Sequence, residues 1–350
     1  MKSNSPGKVI AASALGVVAG AMQFIGLPLS MVCVTGTIIA PLLFAWAGPL
    51  PAAIFLAVSL GSLAALLGGG AAAIGALIFG LPALVVMALM RARALFFTRV
   101  KAAIGAQLGA MLALILILYA ALGRSLVDVA MDMFAKWADG LSPQLAQLTL
   151  QQFALTGAGT LMTVDTAQQI LTEGLSQAET MELLHGIFDT TGQALRLGLP
   201  AMLLSSGLVT GLIAAALPGY VCARRGEELD YVPLHQWHVP PRVTAGVLVC
   251  LATAGILFAA RVDGAESVLS AVLTGGLVIY AVAGAAALGR RFRETGMSPG
   301  FRVALIIGGL WIVPRLVAMI GIASVLLGRQ GIITGHMKKK MKDQNKEDDD

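Results

Sequence analysis

The sequence predicts an all-α fold, a polytopic transmembrane helix bundle of eight to nine spans with amphipathic helices in one long outer loop. Of the 350 residues, 57% are hydrophobic and only 12% are charged, whereas a soluble domain carries about 25% charged residues. The mean hydropathy is +0.83. The apolar runs are long and lack the two-residue alternation of barrel strands, so helices are expected to satisfy the backbone hydrogen bonds in lipid.

Apolar runs that are long enough for a crossing, which needs about 20 residues, recur along the chain. They lie near residues 9–27, 29–47, 50–67, 70–90, 101–121, 198–221, 243–261, 266–289 and 303–327. Gly36 and Pro41 interrupt the second run, and Pro314 interrupts the last. A broken helix at either place lowers the count from nine to eight, and a break at Pro314 conflicts less with the distribution of charge.

The basic residues predict which side of the membrane each loop faces. One group shares a side with the N-terminus: Lys2, Lys8, Arg91, Arg93, Arg99, Lys101, Arg224, Arg225, Arg242, Arg290, Arg291, Arg293 and Arg302. The opposite side receives Arg124, Lys136, Arg196 and Arg261. Because cytoplasmic loops are rich in Lys and Arg, we predict a multi-pass protein of the bacterial cytoplasmic (inner) membrane with a cytoplasmic N-terminus.

The long loop at 122–197 is predicted to be extracytoplasmic and helical. Ser125 precedes apolar residues at helical spacing, and Ser142-Pro143 has the pattern of an N-cap followed by a proline at the first helical position. Ser176 and Glu179 have the spacing of a capping box. We expect amphipathic helices that lie on the outer membrane surface or cover the bundle.

These features divide the chain into four parts. Residues 1–121 hold the N-terminal transmembrane helices, 122–197 the extracytoplasmic amphipathic helical loop, and 198–329 the C-terminal transmembrane helices. Residues 330–350 contain a lysine block followed by acids, a composition that predicts a disordered charged tail.

Arg315 is an ionisable residue inside an apolar run, next to Pro314. A charge at this depth is costly and usually faces a partner or a watery cavity. One interpretation is a ligand-binding residue, in which the guanidinium and the carbonyls freed by the proline line a pocket. The alternative is an arginine that extends its head to the interface or caps the freed carbonyls.

Ala12, Gly16 and Gly20 form a ridge of small residues on the first predicted span. Such a ridge permits the close approach of a second helix. It either packs inside the bundle or docks another membrane subunit, and the frequency of glycine in membrane helices favours internal packing.

Glu182, His185 and Asp189 share one face of a predicted helix, as metal ligands in helical bundles do. The polar face of an amphipathic helix collects such residues by default, so no metal site and no cofactor are predicted. The cysteines, Cys33 and Cys222 among them, have no metal-type spacing.

The segment 231–240 precedes the seventh predicted span and contains His235 and His238. Metal or proton transfer is one interpretation of the two histidines. We favour a structural one, in which Tyr231 and Trp237 act as interfacial anchors and the prolines fix the entry angle of the span.

The sequence contains none of the short motifs typical of nucleotide, serine-hydrolase or zinc-protease chemistry. No pair of carboxylates lies within a predicted span, so an enzyme is not expected. The net charge of +5 is explained by the loops between spans and does not indicate a nucleic-acid partner.

Several segments together resemble a known family. Leu199-Pro200-Ala201-Met202-Leu203-Leu204-Ser205-Ser206 opens the sixth predicted span, Arg224-Arg225-Gly226 closes it, Trp237 follows, and Gly321-Ile322-Ala323 stands near the end of the last. This order resembles the YybS-like bacterial integral membrane proteins, a family with a domain of unknown function. That family is remotely similar to the substrate-binding S components of energy-coupling-factor transporters. The resemblance implies that the Ala12, Gly16 and Gly20 ridge meets a transmembrane partner.

The function that follows is a substrate-binding or transport-associated membrane component without its own ATPase, with its site in the bundle near Arg315. Its expected partners are the lipid bilayer and another membrane subunit or ATPase module. The alternative is a non-transport membrane scaffold or regulator of envelope processes that acts through its outer helices.

Overall fold

The structure, a computed structural model, describes residues 6–24, 29–155, 176–227 and 229–327, with the side chains at 19–35, 126, 153–155 and 177 left out. The regular structure in these ranges is helical. The helices are α1 (Pro6–Phe24), α2 (Leu29–Ala47), α3 (Pro49–Leu67), α4 (Gly69–Gly75), α5 (Leu81–Arg91), α6 (Phe96–Leu122), α7 (Leu126–Asp139), α8 (Pro143–Leu155), α9 (Gln177–Arg224), α10 (Pro241–Ala259), α11 (Ala265–Glu294), α12 (Pro299–Ile312) and α13 (Pro314–Leu327). The predicted tail at 330–350 lies outside the described residues.

Six stretches of helix in the described chain are long and apolar enough to cross a membrane, and α4 and α5 count together as one of them. The number rises to seven if the bent pair α12 and α13 is a single span. The other two predicted crossings fall in α1 and α2, whose described apolar parts, Pro6–Val18 and Gly36–Ala47, are shorter. The all-α membrane architecture is therefore confirmed, and the count of eight to nine stays a prediction.

The first three helices form one packed group. Pro49 follows Gly48, whose φ of 100° turns the chain out of α2, and the proline begins α3 where its missing N–H costs nothing. Ala12 on α1 is fully buried, and a Cβ at Gly16 would lie 2.9 Å from Val58 Cβ on α3. The small residues of α1 thus let it approach α3 closely.

A π-helical turn, Ala76–Gly80, joins α4 to α5. A π-turn displaces backbone carbonyls from the regular α pattern, and the side chain of Gln107 on α6 donates to the Ile78 carbonyl at 3.2 Å. Gln107 is fully buried and also accepts from Thr37 Oγ1 at 3.2 Å. These two hydrogen bonds connect α2, the π-turn and α6 within the bundle.

The helix α9 is continuous over 48 residues, and neither Pro200 nor Pro218 ends it. At ~1.5 Å per residue it is about 72 Å long, more than twice the ~30 Å hydrocarbon thickness. Ser267, at the start of α11, donates to the Arg196 carbonyl at 3.1 Å. Residues 177–196 therefore project beyond this end of the bundle, and the predicted boundary at 197/198 falls inside a single helix.

The projecting part of α9 packs with α7 and α8 into a small helical unit, here called the projecting unit (residues 126–155 and 177–196). Its core consists of buried apolar side chains from all three helices: Ala138, Ala146, Leu150, Leu184, Ile187 and Phe188. The predicted caps are confirmed, since Ser125 accepts from the Asp128 N–H and Ser176 forms a capping box with Glu179.

The last two helices are sharply bent. The α12–α13 pair turns by 110° at Val313, immediately before Pro314, because a proline cannot donate the next helical hydrogen bond. A break at this proline, one of the two alternatives that the sequence left open, is therefore present. The helix α13 then crosses α11 with backbone in contact, since a Cβ at Gly284 would overlap the Val317 carbonyl and one at Gly321 would overlap the Tyr280 carbonyl.

Among the described basic residues that were predicted to share a side, Lys8 and Arg225 both contact the end of α2, and this end of the bundle is here called the basic end. Lys8 on α1 lies 5.6 Å from the ring centre of Trp46 at the end of α2. The Arg225 guanidinium, at the end of α9, donates to the carbonyls of Ala45 and Trp46. Which side of the membrane this end faces stays a prediction.

Candidate functional site

The linker between α9 and α10, described at residues 225–227 and 229–240, packs over α6 and α9 at the basic end. The Asp230 carboxylate accepts from the Phe96 N–H at 2.7 Å, where α6 begins without a side-chain cap of its own. Asp230 therefore satisfies a free N–H and places a negative charge at the positive end of the helix dipole.

Arg99 lies one turn into α6 and is fully buried. Its Nη2 donates to the Asp230 carbonyl, while its Nε and Nη1 have no hydrogen-bond partner among the described residues. A Cβ at Gly219 would lie 3.5 Å from Arg99 Nη2 and 3.3 Å from the Tyr231 ring, so the glycine leaves room for both side chains. Burial of a guanidinium is costly unless it is paired, and here the Asp230 carbonyl accepts from it. This hydrogen bond joins the linker to α6, and the packing at Gly219 joins both to α9.

Aromatic rings hold the same linker. Phe96 is fully buried, and its ring centre lies 5.3 Å from that of Trp237 and 6.0 Å from that of Tyr231. The Trp237 indole donates to the Val232 carbonyl at 2.7 Å. Burial, with a contribution from Tyr220, raises the pKa of the Tyr231 phenol above its ordinary value. The predicted anchors Tyr231 and Trp237 are thus half-buried against this chain, and their contact with lipid stays a prediction.

A cavity of about 370 Å³ opens next to this junction. Its lining mixes apolar and polar side chains from α2, α5, the α5–α6 turn, α9 and the linker: Phe44, Ala45, Met90, Arg93, Cys222, Glu227 and Leu229. Glu227 and Arg93 both make interactions of their own, so neither charged side chain of the cavity wall is without a partner.

A second group of basic side chains surrounds the short 3₁₀ turn Leu234–Gln236. Arg290 on α11 donates to the carbonyls of His235 at 3.2 Å and Trp237 at 3.1 Å. Arg293 Nη1 lies 2.7 Å from His235 Nε2. Burial and the charges of Arg293, Arg302 and Arg290 hold the pKa of the His235 imidazole below its ordinary value.

Arg315, the predicted ligand-binding residue, lies at a separate cavity of about 260 Å³ between α10, α11 and α13. The remaining lining is apolar apart from a tyrosine: Val247, Leu251, Val272, Leu273, Gly276, Leu277, Tyr280, Ala318, Met319 and Ile322. Arg315 is exposed, it occupies the first turn of α13, and it makes no hydrogen bond or ion pair with another described residue.

The ridge predicted to dock a partner has a neighbour within the chain. Ala12 and Gly16 are buried against Phe55 and Val58 of α3, and the surroundings of Gly20 lie outside the described residues. Docking of a second subunit by this ridge stays a prediction.

On the projecting unit, His185 Nε2 lies 3.1 Å from Asp139 Oδ1 of α7, while Glu182 and Asp189 are exposed. In the ranges that the structure describes, no group of three or more His, Cys, Asp or Glu side chains is placed to hold a metal ion.

Sequence patterns did not reveal the Asp230 cap, the buried Arg99 or the arginines around His235. Asp230 is 134 positions away in the sequence from Phe96, whose N–H donates to it. Arg99 entered the sequence analysis only as a basic residue of a loop. One signal was available, because Arg99 stands only two residues before the predicted span at 101–121 and three residues after Phe96.

Comparison of the chain with protein-family models, with curated proteins and with solved structures finds no match. The resemblance to the YybS-like family accordingly stays a prediction. Fold and composition define the class: a multi-span, all-α membrane protein, whose apolar spans place it in a lipid bilayer.

Proposed function

We propose that this protein is a membrane-embedded binding component of the transport-associated kind, without an ATPase of its own, that holds an amphipathic anion in the cavity beside Arg315. The observation that carries the proposal is a guanidinium without an ion-pair partner among the described residues, at the edge of an apolar cavity. A guanidinium stays charged in proteins, and an uncompensated charge in a span is costly.

A bound carboxylate or phosphate would offset that cost. Arg315 lies in the first turn of α13, so the partial positive charge of this helix N-terminus adds to that of the guanidinium. The cavity of about 260 Å³ offers no other charged group, so it suits the hydrocarbon part of the ligand. This combination supports a ligand with one anionic head and a short apolar chain.

The test compares two probes of equal chain length, dodecanoate and dodecanol, on protein in nanodiscs. We expect Arg315→Gln to weaken dodecanoate binding by about tenfold, which corresponds to ~1.4 kcal/mol, and to leave dodecanol binding unchanged. Arg261→Gln is the matched control, because Arg261 is an exposed arginine in the α10–α11 turn. Unchanged dodecanoate affinity in Arg315→Gln would reject the proposal.

The transport-associated part of the proposal rests on the resemblance to S components and predicts a partner that supplies energy. Affinity purification of the tagged protein from its native membrane should recover a membrane subunit or an ATPase module. Recovery of the chain alone, under conditions that preserve known membrane complexes, counts against this part and leaves the binding site itself unaffected.

A second candidate function is a scaffold or regulator of envelope processes, and the projecting unit favours it. Its surface carries large exposed apolar side chains: Met133, Phe134, Trp137, Leu145 and Leu148. If the protein acts as a scaffold, the double variant Met133→Ser and Leu148→Ser should reproduce the growth or envelope defect of a strain that lacks the protein. Arg315→Gln should then behave as the wild type. The opposite result favours the binding component.

A further inference from the structure

The arginines at the junction of α11, α12 and the linker concentrate positive charge in one place. Arg290 and Arg293 lie on the last turns of α11, and Arg302 lies in the first turn of α12. All three charges act on the His235 imidazole. The neighbouring acid Glu294 pairs with Arg291 at 3.4 Å. No ion pair to the three arginines is found among the described residues.

The hydrogen bonds of this group leave donors free. Arg290 uses its Nη1 on two linker carbonyls and so fixes the 3₁₀ turn. The Nε of Arg302 is buried without a hydrogen-bond partner in the described chain. His235 faces Arg293 through Nε2, so a neutral ring that accepts there carries its proton on Nδ1. Arg293 and Arg302 thus have N–H groups to offer a further acceptor.

We propose that Arg293 and Arg302, positioned around the linker turn by Arg290, bind one phosphate group beside His235. Guanidinium groups match phosphate oxygens in geometry and form charge-assisted hydrogen bonds with them. Unpaired like charges repel each other, and a phosphate dianion or diester between them removes that repulsion. The site is separate from the cavity beside Arg315 and does not depend on the function proposed for that cavity.

The position of the site favours the phosphate of an anionic lipid. The helix α11 ends and α12 begins here, so these side chains stand where apolar helix surface gives way to charge. Basic pockets between the ends of transmembrane helices, near the membrane surface, bind anionic lipid head groups. A free phosphate or a soluble phosphate ester presents the same chemistry, so the experiment must separate the two sources.

The experiment follows the histidine ring resonances of the full-length protein in nanodiscs as a function of pH. His235 is the reporter, and His238, which is exposed on the same linker, reports the potential of the membrane surface alone. The nanodiscs contain phosphatidylcholine alone, phosphatidylcholine with phosphatidylglycerol, or phosphatidylcholine with inorganic phosphate in solution.

If the site is real, phosphate raises the pKa of His235 by about 1 more than that of His238, because an added anion stabilises the imidazolium. A rise with phosphatidylglycerol identifies a lipid head group, and a rise with inorganic phosphate identifies a free phosphate. Equal shifts of the two histidines in every arm overturn the proposal.

Two variants test the assignment of the arginines. Arg302→Gln and Arg293→Gln should each remove most of the extra rise at His235, whereas Arg261→Gln at the other end should preserve it. Arg293 is exposed, so its variant tests the site even if Arg302→Gln fails to fold. A full response in both variants overturns the proposal.

Discussion

At the scale of single residues, the crossing of α11 and α13 depends on two glycines. A Cβ at Gly284 would overlap the Val317 carbonyl, and one at Gly321 would overlap the Tyr280 carbonyl. Because lipid provides no hydrophobic driving force between helices, such close van der Waals packing is a main source of their association. The Pro314 break places α13 across α11, and the glycines allow it to stay there.

We therefore expect Gly284→Ala and Gly321→Ala to destabilise the protein by about 1–3 kcal/mol or more, since the helices must move apart. Thermal unfolding in detergent measures the effect as a lower Tm. Gly246→Ala on α10, where a Cβ meets nothing within 4 Å, should leave Tm unchanged or raise it, because alanine favours helix. An equal Tm for all three variants would contradict the backbone contact.

The buried hydrogen bonds of Gln107 give a second prediction at this scale. Gln107→Leu keeps the volume but leaves the Ile78 carbonyl and the Thr37 hydroxyl without this partner. An unsatisfied buried group costs about 1–3 kcal/mol, so we expect a loss of that order in unfolding experiments. Gln193→Leu, at an exposed position of α9, is the control and should change stability little.

At the scale of elements, α7 is attached to α9 through charge as well as through its apolar core. The Asp128 N–H donates to Ser125 Oγ. The Asp128 carboxylate accepts a hydrogen bond from the Ser125 hydroxyl and pairs with Arg196, and Arg124 pairs with Asp132 within the same region. These hydrogen bonds, that of Ser125 first and that of Arg196 next, hold the pKa of the Asp128 carboxyl below its ordinary value of 3.8.

The sign of the pH dependence follows from that lowered pKa. The native state releases this proton more readily than the unfolded state, so the stabilisation is complete above the unfolded pKa and is lost as the pH falls through the native one. We expect the amide protection of α7, measured by hydrogen exchange and corrected for intrinsic rates, to be constant above about pH 5 and to fall as the pH drops below about 4, the unfolded pKa of an aspartate.

Asp128→Asn removes the titrating group and should lower the protection of α7 already at neutral pH, with a flatter dependence below it. The amides of α6 serve as the internal reference. Identical pH profiles for the wild type and Asp128→Asn would show that this carboxylate does not control the docking of α7.

At the scale of the whole molecule, basic residues from distant parts of the sequence gather at one end. Lys8, Arg225 and Arg290 all contact groups at this end, while Arg196 and the turn at Arg261 belong to the other. The positive-inside rule predicts that the basic end faces the cytoplasm.

Cysteine labelling tests this orientation. In a background without the native cysteines, Asp263→Cys in the α10–α11 turn should react with a membrane-impermeant maleimide added to intact cells. Thr295→Cys, in the turn after α11 at the basic end, should react only after permeabilisation. Both positions are exposed, and the reverse pattern would invert the predicted topology.

Features that depend on local chemistry were predictable from the sequence. Hydropathy indicated the helical membrane class, because lipid requires internally hydrogen-bonded spans. The caps at Ser125 and Ser176 and the break at Pro314 depend on residues within one helical turn. The continuity of α9 through Pro200 was missed, because a proline pattern alone does not show whether neighbouring helices support the chain across it.

The sequence by itself determined that this chain forms apolar helices and where most of them begin. Only the tertiary structure decided the contacts that define its sites: Asp230 capping α6, Gly284 against α13, and the arginines around His235. The physical reason is that hydropathy and capping are set by neighbours along the chain. Pairings between helices depend on rotation and crossing angle, which many sequences of equal hydropathy leave open.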